Sequence, residues 1–111
     1  MNYQIHITKK AEQDLEGAAD YIEFTLLNPD AADALLDKAE EKINSLSYMP
    51  QTHQIVDDPV LAAWEIRFIL VNNYIAFFSI NKQAKIVHIV RFLYQKRNWI
   101  QILKNEPLQL D

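Results

Sequence analysis

The chain has 111 residues, half of them hydrophobic, and a formal net charge of −4. That length suits one domain with a single buried core rather than two independent ones, and the apolar content excludes an intrinsically disordered chain. A single glycine leaves no phosphate-cradling loop or dinucleotide fingerprint, and the absence of cysteine removes disulfides, thiolate metal ligands and a cysteine nucleophile together. No cofactor and no metal are expected. The charge is unevenly divided: residues 1–60 hold 4 Lys/Arg against 12 Asp/Glu, and residues 61–111 hold 7 against 3.

Tyr3, Ile5 and Ile7 alternate with polar residues, which predicts a short strand with one buried face and argues against a signal peptide. Thr8 is placed to cap a helix whose stripe is Ala11, Leu15, Ala18, Ala19, Ile22 and Leu26, with Glu12, Glu16, Asp20 and Glu23 facing water. Asn28-Pro29 ends that helix and opens a second, with the stripe Ala31, Ala32, Leu35, Leu36, Ala39, Ile43 and Leu46. Residues 50–62 lack periodicity and read as a surface loop. Three strands follow, Trp64 to Leu70, Tyr74 to Ile80 and Lys85 to Phe92; the short polar turns between them predict an antiparallel meander. Residues 96–104 suit a short closing helix or turn.

The order β-α-α-β-β-β gives an α+β fold, in which the helical hairpin and one face of the meander bury each other. Residues 1–104 are expected to form one domain and 105–111 a frayed tail. No apolar run approaches the roughly 20 residues needed to span a bilayer, so no membrane partner is expected and a cytoplasmic location is.

Chemistry is most concentrated in Val87 to Trp99, where an apolar run flows into the cluster Tyr94, Lys96, Arg97 and Trp99. Aromatic faces beside cations suit base stacking and phosphate contact. The competing reading is that Trp99, Ile100 and Leu103 pin the C-terminal segment while Lys96 and Arg97 stay wet. Arg67 and Arg91 are further candidates, since a guanidinium binds phosphate or carboxylate bidentately. Strand alternation puts Trp64, Ile66, Phe68 and Leu70 toward the core and Glu65 and Arg67 on the opposite face, where Glu65 is a possible base. His88 reads as a core or edge histidine, and His6 and His53 as surface residues. Asp14, Glu16, Asp20 and Glu23 lie around a hydrated helix face rather than a metal site.

The chain resembles the RelE/ParE superfamily of bacterial type II toxin–antitoxin toxins over residues 3 to about 103. The pieces are Ala11 to Leu15, Asp20-Tyr21-Ile22, Asn28 to Ala32, Leu46 to Pro50, Trp64 to Arg67, Asn73 to Phe78 and Val90 to Trp99. The resemblance implies a growth-inhibiting toxin silenced by a cognate antitoxin. Its target would be DNA gyrase, as in the ParE branch, or alternatively mRNA on the ribosome, as in the endonucleases; an inactive, antitoxin-binding relative is the third reading. For a nuclease the catalytic candidates are Arg67, Arg91, Tyr94 and Arg97. For a binding toxin the target-binding candidates are Arg67, Arg91, Tyr94, Lys96, Arg97 and Trp99. Ile75 stands where several such nucleases carry an arginine and Leu93 where one branch carries a histidine, so the resemblance favours a non-enzymatic gyrase poison.

Overall fold

A computed structural model describes residues 2–105. The elements are β1 (Gln4–Ile7), α1 (Lys9–Asp20) continuing into a π-helical turn (Tyr21–Thr25), α2 (Pro29–Ser45), a 3-10 turn (Pro50–Thr52), α3 (Pro59–Ala63), β2 (Arg67–Val71), β3 (Tyr74–Asn81), β4 (Ile86–Tyr94) and α4 (Trp99–Asn105). The strands form one sheet in the order β1-β4-β3-β2. The meander β2-β3-β4 is antiparallel as expected, and β1 joins β4 in parallel, with His6 beside His88 and Ile7 beside Ile89.

The expected caps hold the helical hairpin. The Thr8 hydroxyl accepts from Ala11 N–H at 3.2 Å and donates to Ile89 C=O at 2.9 Å, so one fully buried residue both caps α1 and ties it to β4. Asn28 Oδ1 accepts from Ala31 N–H at 3.1 Å, with Pro29 at the first helical position. The apolar stripe of α1 and α2 packs on one sheet face: Ala11, Leu35, Ala39, Ile43 and Leu46 meet Val71, Ala76, Phe78, Val87, Ile89 and Phe92.

Three expectations need correction. Leu26 leaves the buried stripe and is 56% exposed, because Leu26 N–H bonds Tyr21 C=O five residues back and the wider turn rotates the end of the helix. Residues 50–62 are not simply loop: Asp58 Oδ2 accepts from Val60 and Leu61 N–H, Pro59 occupies the first helical position and α3 forms. Trp64 therefore follows α3 instead of starting a strand, and Glu65, with φ 56°, turns the chain into β2.

The sheet is covered on both faces. Val56, Leu61, Ile66, Ile75, Phe77, Val90, Leu93 and Leu103 form a second core under α3 and α4, and Lys104 Nζ pairs with Asp58 at 3.0 Å to join those two helices. The alternation shifts within the pair β3–β4: Phe77 lies opposite Arg91 but Phe78 lies opposite Ile89, leaving Val90 as the extra residue of a bulge. The expected tail at 105–111 falls outside the described residues, apart from Asn105, which closes α4.

Candidate functional site

The bulge sets Arg91 opposite Phe77, and from there its side chain reaches Asp14 of α1 at the β4 edge. Arg91 Nε donates to Asp14 Oδ2 at 2.6 Å and Nη2 donates to Oδ1 at 2.9 Å, a bidentate pair whose arginine is only 8% exposed. Asp14 Oδ2 also accepts from Phe92 N–H at 3.0 Å. β1 pairs with β4 only as far as Ile89, so beyond that point the side chains of α1 take over the strand edge: Thr8 at Ile89 and Asp14 at Phe92. Asp14 is thus a lock between helix and sheet, not part of the hydrated acidic face.

Next to this lock lies a cleft of about 430 Å³. Gly17 and Tyr21 line one side and Tyr74, Phe92 and Tyr94 the other, with exposed Arg97 among the lining residues. Tyr74 stacks on Phe92 with centroids 5.1 Å apart and meets the edge of Tyr94 at 5.4 Å, forming an ordered aromatic wall. Burial, with Tyr94 and Tyr21 nearby, pushes the Tyr74 hydroxyl pKa upward. Gly17 is the chain's only glycine, and a Cβ placed there would meet no heavy atom within 4 Å. Glycine inside a helix costs about 1 kcal/mol relative to alanine, and nothing in the surrounding packing requires it.

The other expected site residues are dispersed. Trp99 turns to the opposite sheet face and packs on Phe77 at 5.1 Å, while Gln95 to Asn98 stay exposed between the two faces. Arg67 Nη1 donates to His53 C=O at 2.6 Å and Gln51 C=O at 3.1 Å, holding the incoming chain beside β2. The register puts Arg67 opposite Phe78 and Tyr94 opposite Tyr74. Four residues along the sheet and two strand spacings across it separate their backbones by roughly 16 Å. Arg67 therefore belongs to a second cleft, of about 390 Å³, with Glu65, Ser79, Lys82 and His88.

Sequence separation hid one further contact. His6 Nδ1 and His88 Nδ1 lie 2.9 Å apart across the β1–β4 register, their rings edge to face. Burial, then the neighbouring His6, lowers the His88 pKa from its ordinary 6.5. His53 is lowered as well, by burial and then by Arg67 and Lys42. Among the described residues no group of three or more His, Cys, Asp or Glu is placed to hold a metal ion, and no helix is long and apolar enough to cross a membrane.

Ile75 and Leu93 face each other across β3 and β4 and are 7% and 1% exposed within the second core. An apolar, sealed sheet centre thus occupies the positions where the resemblance places nuclease side chains.

A helical hairpin on an antiparallel sheet that gains its N-terminal strand in parallel is the fold of the RelE/ParE superfamily toxins. The chain is similar in fold to a chromosomal ParDE toxin–antitoxin system from P. aeruginosa (TM-score 0.68, 19% identity, 83% of this chain and 95% of that one). It is also similar to the RelBE2 toxin–antitoxin complex from Mycobacterium tuberculosis (TM-score 0.57, 20% identity, 85% of this chain and 99% of that one). No curated protein matches in sequence. The family described as ParE toxin of the type II toxin–antitoxin system parDE matches residues 5–99, and the chain belongs to that family.

Proposed function

We propose that the chain is a growth-inhibiting toxin that binds and poisons DNA gyrase and is silenced by a cognate antitoxin. The observation that carries the target assignment is the burial of Ile75 and Leu93: the sheet centre that an endonuclease would furnish with cationic and general-base side chains is apolar and closed by α3 and α4. The nuclease candidates Arg67, Arg91, Tyr94 and Arg97 do not converge, since Arg91 is spent on Asp14 and Arg67 lies at the other end of the sheet. In a binding toxin no such convergence is needed.

Tyr94, Lys96 and Arg97 carry the target contact at the exposed turn after β4, in the cationic half of the chain. Arg91 and Trp99 serve it as positioning residues, Arg91 by locking the strand end to α1 and Trp99 by anchoring the start of α4 on Phe77. Arg67 shapes the approach to β2. Supercoiling by purified gyrase with added toxin tests the reading and should fall in a dose-dependent way. Unaffected supercoiling together with toe-prints of cleaved mRNA on translating ribosomes would replace it with the endonuclease. Harmless expression without antitoxin would replace both with an inactive relative.

A further inference from the structure

We infer that the cleft between α1 and the end of β4 receives an extended acidic segment of the antitoxin, which adds a short stretch of strand to the open edge of β4 and seats one apolar side chain beside Gly17. The inference rests on the proposed antitoxin partner and names how that partner is read.

The hydrogen-bond pattern exposes the edge. Gln95 N–H donates to Asn73 C=O at 2.9 Å, which makes the opposed residues Tyr94 and Tyr74 a non-hydrogen-bonded pair, so that both backbone groups of Tyr94 point away from β3. Phe92, two residues earlier, points outward in the same way, as its N–H bond to Asp14 confirms. The Tyr94 C=O is taken by Arg97 N–H at 3.0 Å. Among the described residues, what remains on this edge is the Phe92 C=O and the Tyr94 N–H, one acceptor and one donor at the spacing with which a single residue of an added strand bonds its neighbour. Both residues line the cleft.

The side chains specify the occupant. Gly17 leaves open space directly beside this edge, and no packing within the described residues explains the missing side chain. The aromatic wall of Tyr74, Phe92 and Tyr94 gives an inserted aliphatic or aromatic side chain a preformed apolar contact. Among the described residues two charged ones line the cleft, and the Asp14 carboxylate is already committed to Arg91 and Phe92. Arg97 is left to select a carboxylate on the incoming segment. Unlike a groove defined by apolarity alone, this one fixes backbone direction, a side-chain subsite and a charge.

The test uses the protein encoded by the adjacent gene as the antitoxin and measures its affinity for wild type, Gly17→Leu and Arg97→Glu. Leucine favours the helix over glycine and fills the notch, so the free toxin should keep or raise its melting temperature while affinity falls about 30-fold or more. Arg97→Glu should weaken binding and flatten its salt dependence. In the wild-type complex, amide exchange at Tyr94 should slow by about tenfold or more. Undiminished binding by Gly17→Leu, or unchanged exchange at Tyr94 in a tight complex, would overturn the docking inference and leave the antitoxin reading standing. No binding by wild type would overturn the antitoxin reading itself.

Discussion

Replacing Asp14 with leucine removes the acceptor of three bonds at once: two from the Arg91 guanidinium and one from Phe92 N–H. Removing the carboxylate from a bidentate pair whose arginine is 8% exposed costs about 3–5 kcal/mol. The orphaned N–H adds about 1 kcal/mol or more. Against a typical total stability of about 5–15 kcal/mol this is a large fraction, and with an m-value near 2 kcal/mol/M it should lower the urea midpoint by roughly 2 M. The double variant Asp14→Leu/Arg91→Met removes both charges and should recover most of the loss, retaining a deficit of about 1–2 kcal/mol from the Phe92 N–H. The assay is equilibrium urea unfolding followed by tryptophan fluorescence and by circular dichroism. A single variant within 1 kcal/mol of wild type, or a double variant as unstable as the single, would show that this pair is not the lock between α1 and β4.

Thr8→Val keeps the shape of a fully buried side chain but loses both the cap and the bond to Ile89, and should cost about 1–3 kcal/mol in the same unfolding assay. His88 and His53 have folded pKa values below their ordinary 6.5, so the fold favours their neutral forms and the unfolded chain binds their protons first. Their contribution is therefore fully present above about pH 6.5 and is lost as pH falls through the lowered values; thermal melts of wild type should show this decline and those of His53→Gln/His88→Gln a weaker one. Leu93→Ala opens a cavity at the centre of the second core and should cost about 2–5 kcal/mol by urea titration, whereas Lys96→Ala, at an exposed turn, should change stability by less than about 0.5 kcal/mol.

The helical hairpin and the meander were legible because they rest on apolar periodicity and on cap residues, signals confined to a few neighbouring positions. Thr8 and Asn28 show this directly. The same kind of signal stands at Asp58-Pro59, but α3 has five residues, too few for a helical period to show within an aperiodic stretch. The place of β1 was not legible, since a parallel strand pairs with a segment some 80 residues away and no local turn announces it. The candidate site suffered most from this non-locality. Arg91 reads as a guanidinium available to an outside phosphate or carboxylate because Asp14, 77 residues earlier, carries no mark that distinguishes it from the acidic face around it. The bulge at Val90, which shifts the face alternation of the residues after it, leaves no signature among the apolar residues around it. Density of basic and aromatic residues singles out the turn after β4, but it merges two sheet faces that the fold separates at Gln95 to Asn98.

The most direct test of a binding toxin aimed at gyrase is to incubate purified gyrase, plasmid and ATP with the toxin, then denature the enzyme and score linear DNA. Wild type should trap the cleaved complex and yield linear plasmid, and a Tyr94→Ala/Arg97→Glu variant of unchanged stability should yield far less. No linear DNA and undisturbed supercoiling at any toxin concentration would contradict the account.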